Sequence, residues 1–234
     1  MVREFAQLLR PARSVPTTIW SAHSPTTFKP RPATFLSLVI GLWLFGTGEA
    51  MFIAAGLGVS PWTVLAQGLS LQTGWSVGVS TFAVSVAVLS LWIPLKERPG
   101  LGTLMNAVIV SISIDVMTPL LTVSGGEAFR YFQMIGGVIL IGAASGFYLT
   151  ANLGPGPRDG LMTGLQRVSG WPIGWVRAGI EIVVLIAGWL LGGVVGIGTV
   201  VFALGVGYSV AVFMSLMKFF SPKSDACAVQ IQKT

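Results

Sequence analysis

The stretch LGVSPWTVLAQGLSLQTGWSVG, residues 57–78, aligns without a gap on LGPGPRDGLMTGLQRVSGWPIG, residues 153–174, at an offset of 153 − 57 = 96. Leu57, Gly58, Pro61, Leu65, Gly68, Leu69, Gly74, Trp75 and Gly78 meet Leu153, Gly154, Pro157, Leu161, Gly164, Leu165, Gly170, Trp171 and Gly174. At the same offset Gly100, Gly102 and Thr103 meet Gly196, Gly198 and Thr199, and Gly41, Leu44 and Gly46 meet Gly137, Leu140 and Gly142. Chance likeness between two apolar helices would match Leu, Val and Ile. A shared pattern of Gly, Pro and Trp points to an internal duplication.

Around these two blocks the chain reads as membrane-spanning. It is 53% hydrophobic and 9% charged, with a mean hydropathy of +0.80, outside the range of a soluble domain. A helix of about 20 residues crosses the ~30 Å hydrocarbon layer, and six such stretches are expected at 34–55, 75–95, 101–121, 131–151, 172–192 and 197–219. The segments 57–73 and 153–169 are too short and too interrupted by Gly and Pro to cross. The expected fold is an all-α membrane protein with two three-span repeats, 34–121 and 131–219, each holding a broken, re-entrant or interfacial short helix between its first and second spans. Residues 1–33 and 220–234 read as polar tails, the first disordered and basic.

Charge sets the expected orientation. Lys and Arg fall in the N-terminal tail, at Lys96 and Arg98, at Arg158 and Arg167, and at Lys218 and beyond; among the alternate segments only Arg130 is basic. Cytoplasmic loops carry this excess, which puts both termini in the cytoplasm of a bacterial inner membrane. No apolar core long enough for a cleaved signal precedes Phe35. Because each repeat holds an odd number of spans, the second copy enters the membrane from the opposite side. The repeats are then inverted, an architecture recurrent among secondary transporters, and paired Gly/Pro-broken segments point to a site near the midplane.

Several classes are excluded. The net charge of +6 comes with no basic patch interleaved with aromatics, so no nucleic-acid partner is expected. His23, the only histidine, lies in the tail, and Cys227 is the only cysteine; a Ser-His hydrolase, a His or thiolate metal site and a disulfide all lack their parts. No P-loop is present, GLGVS and GPG match a dinucleotide fingerprint poorly, and no cofactor is expected.

Candidate site residues are those whose burial needs a reason. Gly58 and Pro61, with Gly154, Gly156 and Pro157, form the structural breaks. Arg158 and Asp159 stand at the start of the second short helix, whose N-terminal N–H groups favour an anion; alternatively, Asp159 only favours the first turn while Arg158 fixes the loop inside. Arg177 and Glu181 share one helix face at i, i+4, either as a structural ion pair or as part of a pathway. Glu49 and Asp115 fall in the outer half of their spans, and Asn152 borders the second break. Uncompensated acid within spans tilts the substrate toward a cation or toward proton coupling.

LGPGPRDGLMTGL, the pair Arg177 and Glu181, and LGGVVGIGT (191–199) together resemble the YczE-like family of bacterial integral membrane proteins and, more distantly, YitT-type proteins. The resemblance covers about residues 35–220 and implies a cytoplasmic-membrane protein, with an accessory role beside biosynthetic machinery as one implication. The expected function is a small secondary-transporter-like permease with a midplane site at the repeat interface, acting on a small molecule or ion. The alternative is a non-transporting scaffold or substrate-capture subunit beside an accessory membrane partner such as an ATP-driven module. Besides the lipid bilayer, a second copy of the chain is a plausible partner under either reading.

Overall fold

The computed structural model describes residues 15–122 and 125–221; Cys227 and the outermost tail charges lie outside the described residues. Among the described residues the chain forms eight α-helices and no strand: α1 (Pro32–Ala55), α2 (Pro61–Thr73), α3 (Val77–Leu95), α4 (Leu101–Leu121), α5 (Glu127–Thr150), α6 (Pro157–Ser169), α7 (Ile173–Leu190) and α8 (Ile197–Met217), followed by a 3₁₀ turn Lys218–Phe220. Six of them are long and apolar enough to cross a membrane, and they sit within a few residues of the expected spans. α2 and α6 are the two 13-residue helices, which at ~1.5 Å per residue extend about 20 Å, too short to cross.

Local chemistry explains where the short helices begin and end. The Ser60 side chain accepts from Thr63 N, Pro61 and Pro157 occupy the first turns, and Gly74 and Gly170 close the helices in the left-handed region. Ahead of them Gly58 and Gly154 take φ of +106° and +110°, which side-chain-bearing residues rarely adopt. Two buried clusters hold the centre: Leu38, Leu42, Ile114 and Leu153 form part of one, and Phe52, Val59, Val64 and Ile141 part of the other. The outer surface is apolar, with Ile93, Leu190 and Leu204 among its most exposed side chains, as suits a chain solvated by lipid.

Positions 96 apart make reciprocal contacts. Gly102 N donates to Leu153 O at 2.7 Å, and Gly198 N to Leu57 O at 2.8 Å. A methyl group on Gly58 would strike Gly196 and Thr199, and one on Gly154 would strike Gly100 and Thr103. Gly41 abuts Tyr148 while Gly137 abuts Phe52, and Gly46 abuts Ser113 while Gly142 abuts Ser209. The short helices are exchanged between halves: α2 packs on α7, and α6 on α3. At these crossings Gly188 lies on Val64 and Leu65, and Gly160 lies under Trp92, whose Nε1 donates to Pro157 O at 3.0 Å.

Where residues 1–33 were expected to be disordered, residues 15–31 lack regular structure yet are tied to the body. Trp20 Nε1 donates to Thr150 Oγ1 at 3.0 Å, Ala22 N to Ala151 O at 3.0 Å, and Ile19 N to Phe220 O at 3.0 Å. Composition reads as disorder because Ser, Thr and Pro supply no apolar run; the hydrogen bonds and Trp20 provide the anchor. The described ends of the chain therefore meet at one end of the bundle. Arg167 reaches Glu97 there, at 3.1 Å. Arg130 lies at the end of α1 remote from Pro32, where it donates to Ala55 O at 2.6 Å and Gly56 O at 3.0 Å, so this lone cation caps a helix C-terminus.

Candidate functional site

A chamber of about 290 Å³ lies where α6 and α7 face α3, α5 and α8. Its charged lining comprises Arg158, Asp159, Arg177 and Glu181, with Asn106, Ser145 and Tyr148 beside them. Each charge is delivered by a local device. Pro157 starts α6, so Arg158 and Asp159 occupy its first turn, and the irregular stretch before it sinks that turn into the protein. Arg177 Nε donates to Glu181 Oε1 at 2.9 Å across one turn of α7. Asp159 sits beside Gly156, and Tyr148 lines the same chamber.

Arg158 differs from its neighbours. Its guanidinium lies over the Trp62 ring, 5.3 Å from the centroid, and it has no hydrogen bond or ion pair with a described residue. Its five N–H donors face the Trp62 ring, with the carboxylates of Glu49 and Asp159 acting on the guanidinium from nearby. Trp62, 5% exposed, has an indole Nε1 likewise without an acceptor among the described residues. Trp62 and Arg158 occupy equivalent positions, since 158 − 62 = 96.

Glu49 stands just behind this wall, completely buried. Its Oε2 accepts from Ser60 Oγ at 2.9 Å and Thr63 Oγ1 at 2.8 Å, while Oε1 has no partner among the described residues. It thus ties α1 to the start of α2. Of the seven residues expected on the pathway, the chamber brings together Arg158, Asp159, Arg177 and Glu181, with Glu49 adjacent. Asp115 and Asn152 sit elsewhere. Asp115 accepts from Ser76 Oγ at 2.6 Å and Gly78 N at 2.7 Å, fixing the start of α3 to α4. Asn152, at φ +53°, donates to Ala22 O at 2.9 Å and holds the N-terminal segment. Sequence reasoning passed over Tyr148; Trp62 fell within the broken segment expected to line the site, at the repeat position of Arg158, but was given no role of its own.

The two halves differ in how tightly they close. α3 packs along α4, stapled by Asp115, whereas the equivalent pair α7 and α8 forms no comparable interface, and the chamber occupies the space between them. Ser76 and Asp115 correspond to Pro172 and Ala211, so the staple has no counterpart. Gly78 lies against Asp115, but its equivalent Gly174 has open space around it. At its other end α7 is held by α2, with Gln72 Nε2 donating to Leu191 O at 3.1 Å.

Fold and chamber define an integral membrane protein of six spans with a charged internal cavity. Residues 33–215 match the family of unknown function DUF6198, and the chain belongs to that family. It is 40% identical over 205 residues to an uncharacterized protein of Haemophilus influenzae, covering 88% of this chain and 93% of that one. It is 32% identical over 188 residues to the uncharacterized membrane protein YczE of Bacillus subtilis, covering 79% and 83%, which agrees with the resemblance read from the sequence. The Bacillus subtilis protein YyaS is 28% identical over 183 residues, covering 76% and 91%. No solved structure matches.

Proposed function

We propose that the chain is a small permease of secondary-transporter type, in which two inverted three-span units enclose a substrate chamber at their interface. The observation that carries this reading is the unequal closure of equivalent helix pairs: α3 is stapled to α4 while α7 stands away from α8. In an inverted repeat, two halves of like sequence and unlike conformation are what alternating access requires, since exchanging the two conformations moves the opening to the other side. The reciprocal contacts at offset 96 support inversion, and so does the meeting of Trp62 with Arg158, because equivalent positions touch only near a symmetry axis. Both termini lie in the cytoplasm of a bacterial inner membrane on this reading. Lys96, Arg98, Arg167 and Lys218 gather at one end, and on this reading the chamber opens toward that end.

The test uses cysteines in a Cys227→Ser background. Thr73→Cys and Ser169→Cys mark the ends of the two short helices, and a membrane-impermeant maleimide applied to either face of oriented vesicles is expected to label them from opposite sides. Labelling of both from one side removes the inversion and the permease with it. Ser145→Cys, in the chamber, is then expected to react from the cytoplasmic side and, in a fraction that an imposed pH gradient or potential changes, from the outside. Reaction from the cytoplasmic side alone under every gradient favours a non-transporting scaffold or capture subunit.

A further inference from the structure

A second cavity, about 610 Å³ and almost wholly apolar, lies between α3, α6 and α7 on the face turned to lipid. Val84, Leu91, Leu161, Leu165, Ile180 and Val183 are among its lining residues, and its inner wall includes Trp62. Trp62 also lines the charged chamber. Two helices are divided in the same way: α6 turns Arg158, Asp159 and Met162 toward the chamber but Leu161 and Leu165 toward the groove, and α7 turns Arg177 and Glu181 one way and Ile180 and Val183 the other. Charged and apolar compartments thus share a wall one indole thick, and both volumes suit a small-molecule site.

Any lipid-facing groove fills with acyl chains. What ties this one to a headgroup is the state of the groups at the shared wall. Among the described residues the Trp62 indole N–H has no acceptor and the Arg158 guanidinium, over the Trp62 ring, has no hydrogen bond or ion pair, and an oxyanion is a group that fits such a guanidinium. Asp159, the next residue, makes no ion pair with a described residue, Arg177 and Arg158 acting on it only from beyond ion-pair distance, while Arg177 is paired with Glu181. A ligand bearing only negative charge would add to Glu49 and leave the enclosure strongly anionic; a ligand bearing both charges leaves the balance unchanged.

Resting on the permease reading above, we infer that the substrate is a single-chain zwitterionic amphiphile of the lysophospholipid type. Its oxyanion lies at Arg158 and Trp62, its ammonium at Asp159, and its acyl chain in the groove between α3, α6 and α7. The amphiphile enters sideways from the bilayer, through the open side of this groove.

The test is a titration of the full chain by native mass spectrometry, counting stoichiometric adducts. Lauroyl-lysophosphatidylethanolamine is expected to bind at least tenfold more tightly than glycerophosphoethanolamine, which has the head alone, and than lauroyl-lysophosphatidic acid, which lacks the ammonium. Gly179 lines the groove, and a Cβ placed there meets nothing within 4 Å, so Gly179→Phe starts its side chain in open groove. This variant is expected to reduce binding of the acylated compound to that of the head alone while leaving glycerophosphoethanolamine unaffected. Arg158→Gln is expected to weaken both. Equal affinity for the acylated and bare heads, or unchanged binding in Gly179→Phe, overturns the amphiphile and leaves a solute permease standing. Absence of a stoichiometric adduct also overturns it. The labelling of positions 73 and 169 tests the permease reading separately.

Discussion

Installing in the second half the staple that the first half possesses is expected to close the chamber. Asp115 accepts two hydrogen bonds from the start of α3, at 2.6 Å and 2.7 Å. Of the three groups involved, one already exists in equivalent form on the other side: Gly174 supplies the backbone N–H that Gly78 supplies. Pro172→Ser with Ala211→Asp adds the missing hydroxyl and carboxylate. Hydrogen bonds to a charged group contribute about 1.5–3 kcal/mol each when sheltered; Asp115 is half-buried, so about 2–3 kcal/mol for the pair is the reasonable figure. At about 1.4 kcal/mol per factor of ten, the closed arrangement gains roughly 30- to 100-fold in population. The assay is the second-order rate of maleimide reaction at Ser145→Cys, expected to fall by that factor in the double variant, by part of it in Ala211→Asp alone, which can still accept from Gly174 N–H, and little in Pro172→Ser alone, which has no carboxylate to donate to. Unchanged reactivity in a folded double variant would refute the claim that α7 is the mobile wall.

Two further substitutions test the supports of the site. Gly154→Ala and its equivalent Gly58→Ala place a Cβ against backbone atoms, 3.0 Å from Gly100 Cα in one case and 2.5 Å from Gly196 N in the other, at positive φ. Strain and overpacking of about 1–3 kcal/mol each predict thermal midpoints in detergent lowered on the order of 10 °C. Gly170→Ala, with open space at φ +70°, is the control and is expected to lose only the backbone term, about 1–2 kcal/mol. Glu49→Ala leaves the Ser60 and Thr63 hydroxyls without their buried acceptor and is expected to cost about 3 kcal/mol, or about 6–12 °C. Glu49→Gln keeps a carbonyl oxygen for both hydroxyls and is expected to cost less than about 1 kcal/mol; equal losses in the two variants would show that the negative charge, not the acceptor, holds α2.

The parts of this protein that were legible in the sequence are those where backbone geometry restricts the residue. Gly58 and Gly154 are glycine because the chain turns through positive φ against another backbone, and Pro61 and Pro157 start helices that follow such a turn; identical constraints in the two copies kept identical residues, and the repeat could be read. The site was legible only in part, because it is built where the copies differ. Arg158 against Trp62, Asp159 against Thr63, Glu49 against Ser145 and Asp115 against Ala211 are all unlike pairs at offset 96. A charge count along the spans finds Glu49, Asp115, Arg177 and Glu181 but says nothing of what each faces. Thus Asp115, read as an outer pathway residue, has α3 for its partner, and Asn152 has the N-terminal segment. Nor does an apolar pattern distinguish Trp62, a wall between two cavities, from the lipid-exposed Trp75 and Trp171.

That division bears on mechanism. If both halves were chemically identical, the two closed and open arrangements would be of equal energy and the chamber would face either side with equal frequency. On the permease reading, the staple on one half and its absence on the other bias the equilibrium toward the arrangement in which α7 is free. An amphiphile that bridges Arg158, on the first turn of α6, and the apolar face of α7 would draw α7 toward α6 and α3, doing transiently for the second half what Asp115 does permanently for the first. Ligand occupancy then supplies the differential interaction that any population shift requires, and it does so at a helix that lacks the staple its counterpart has.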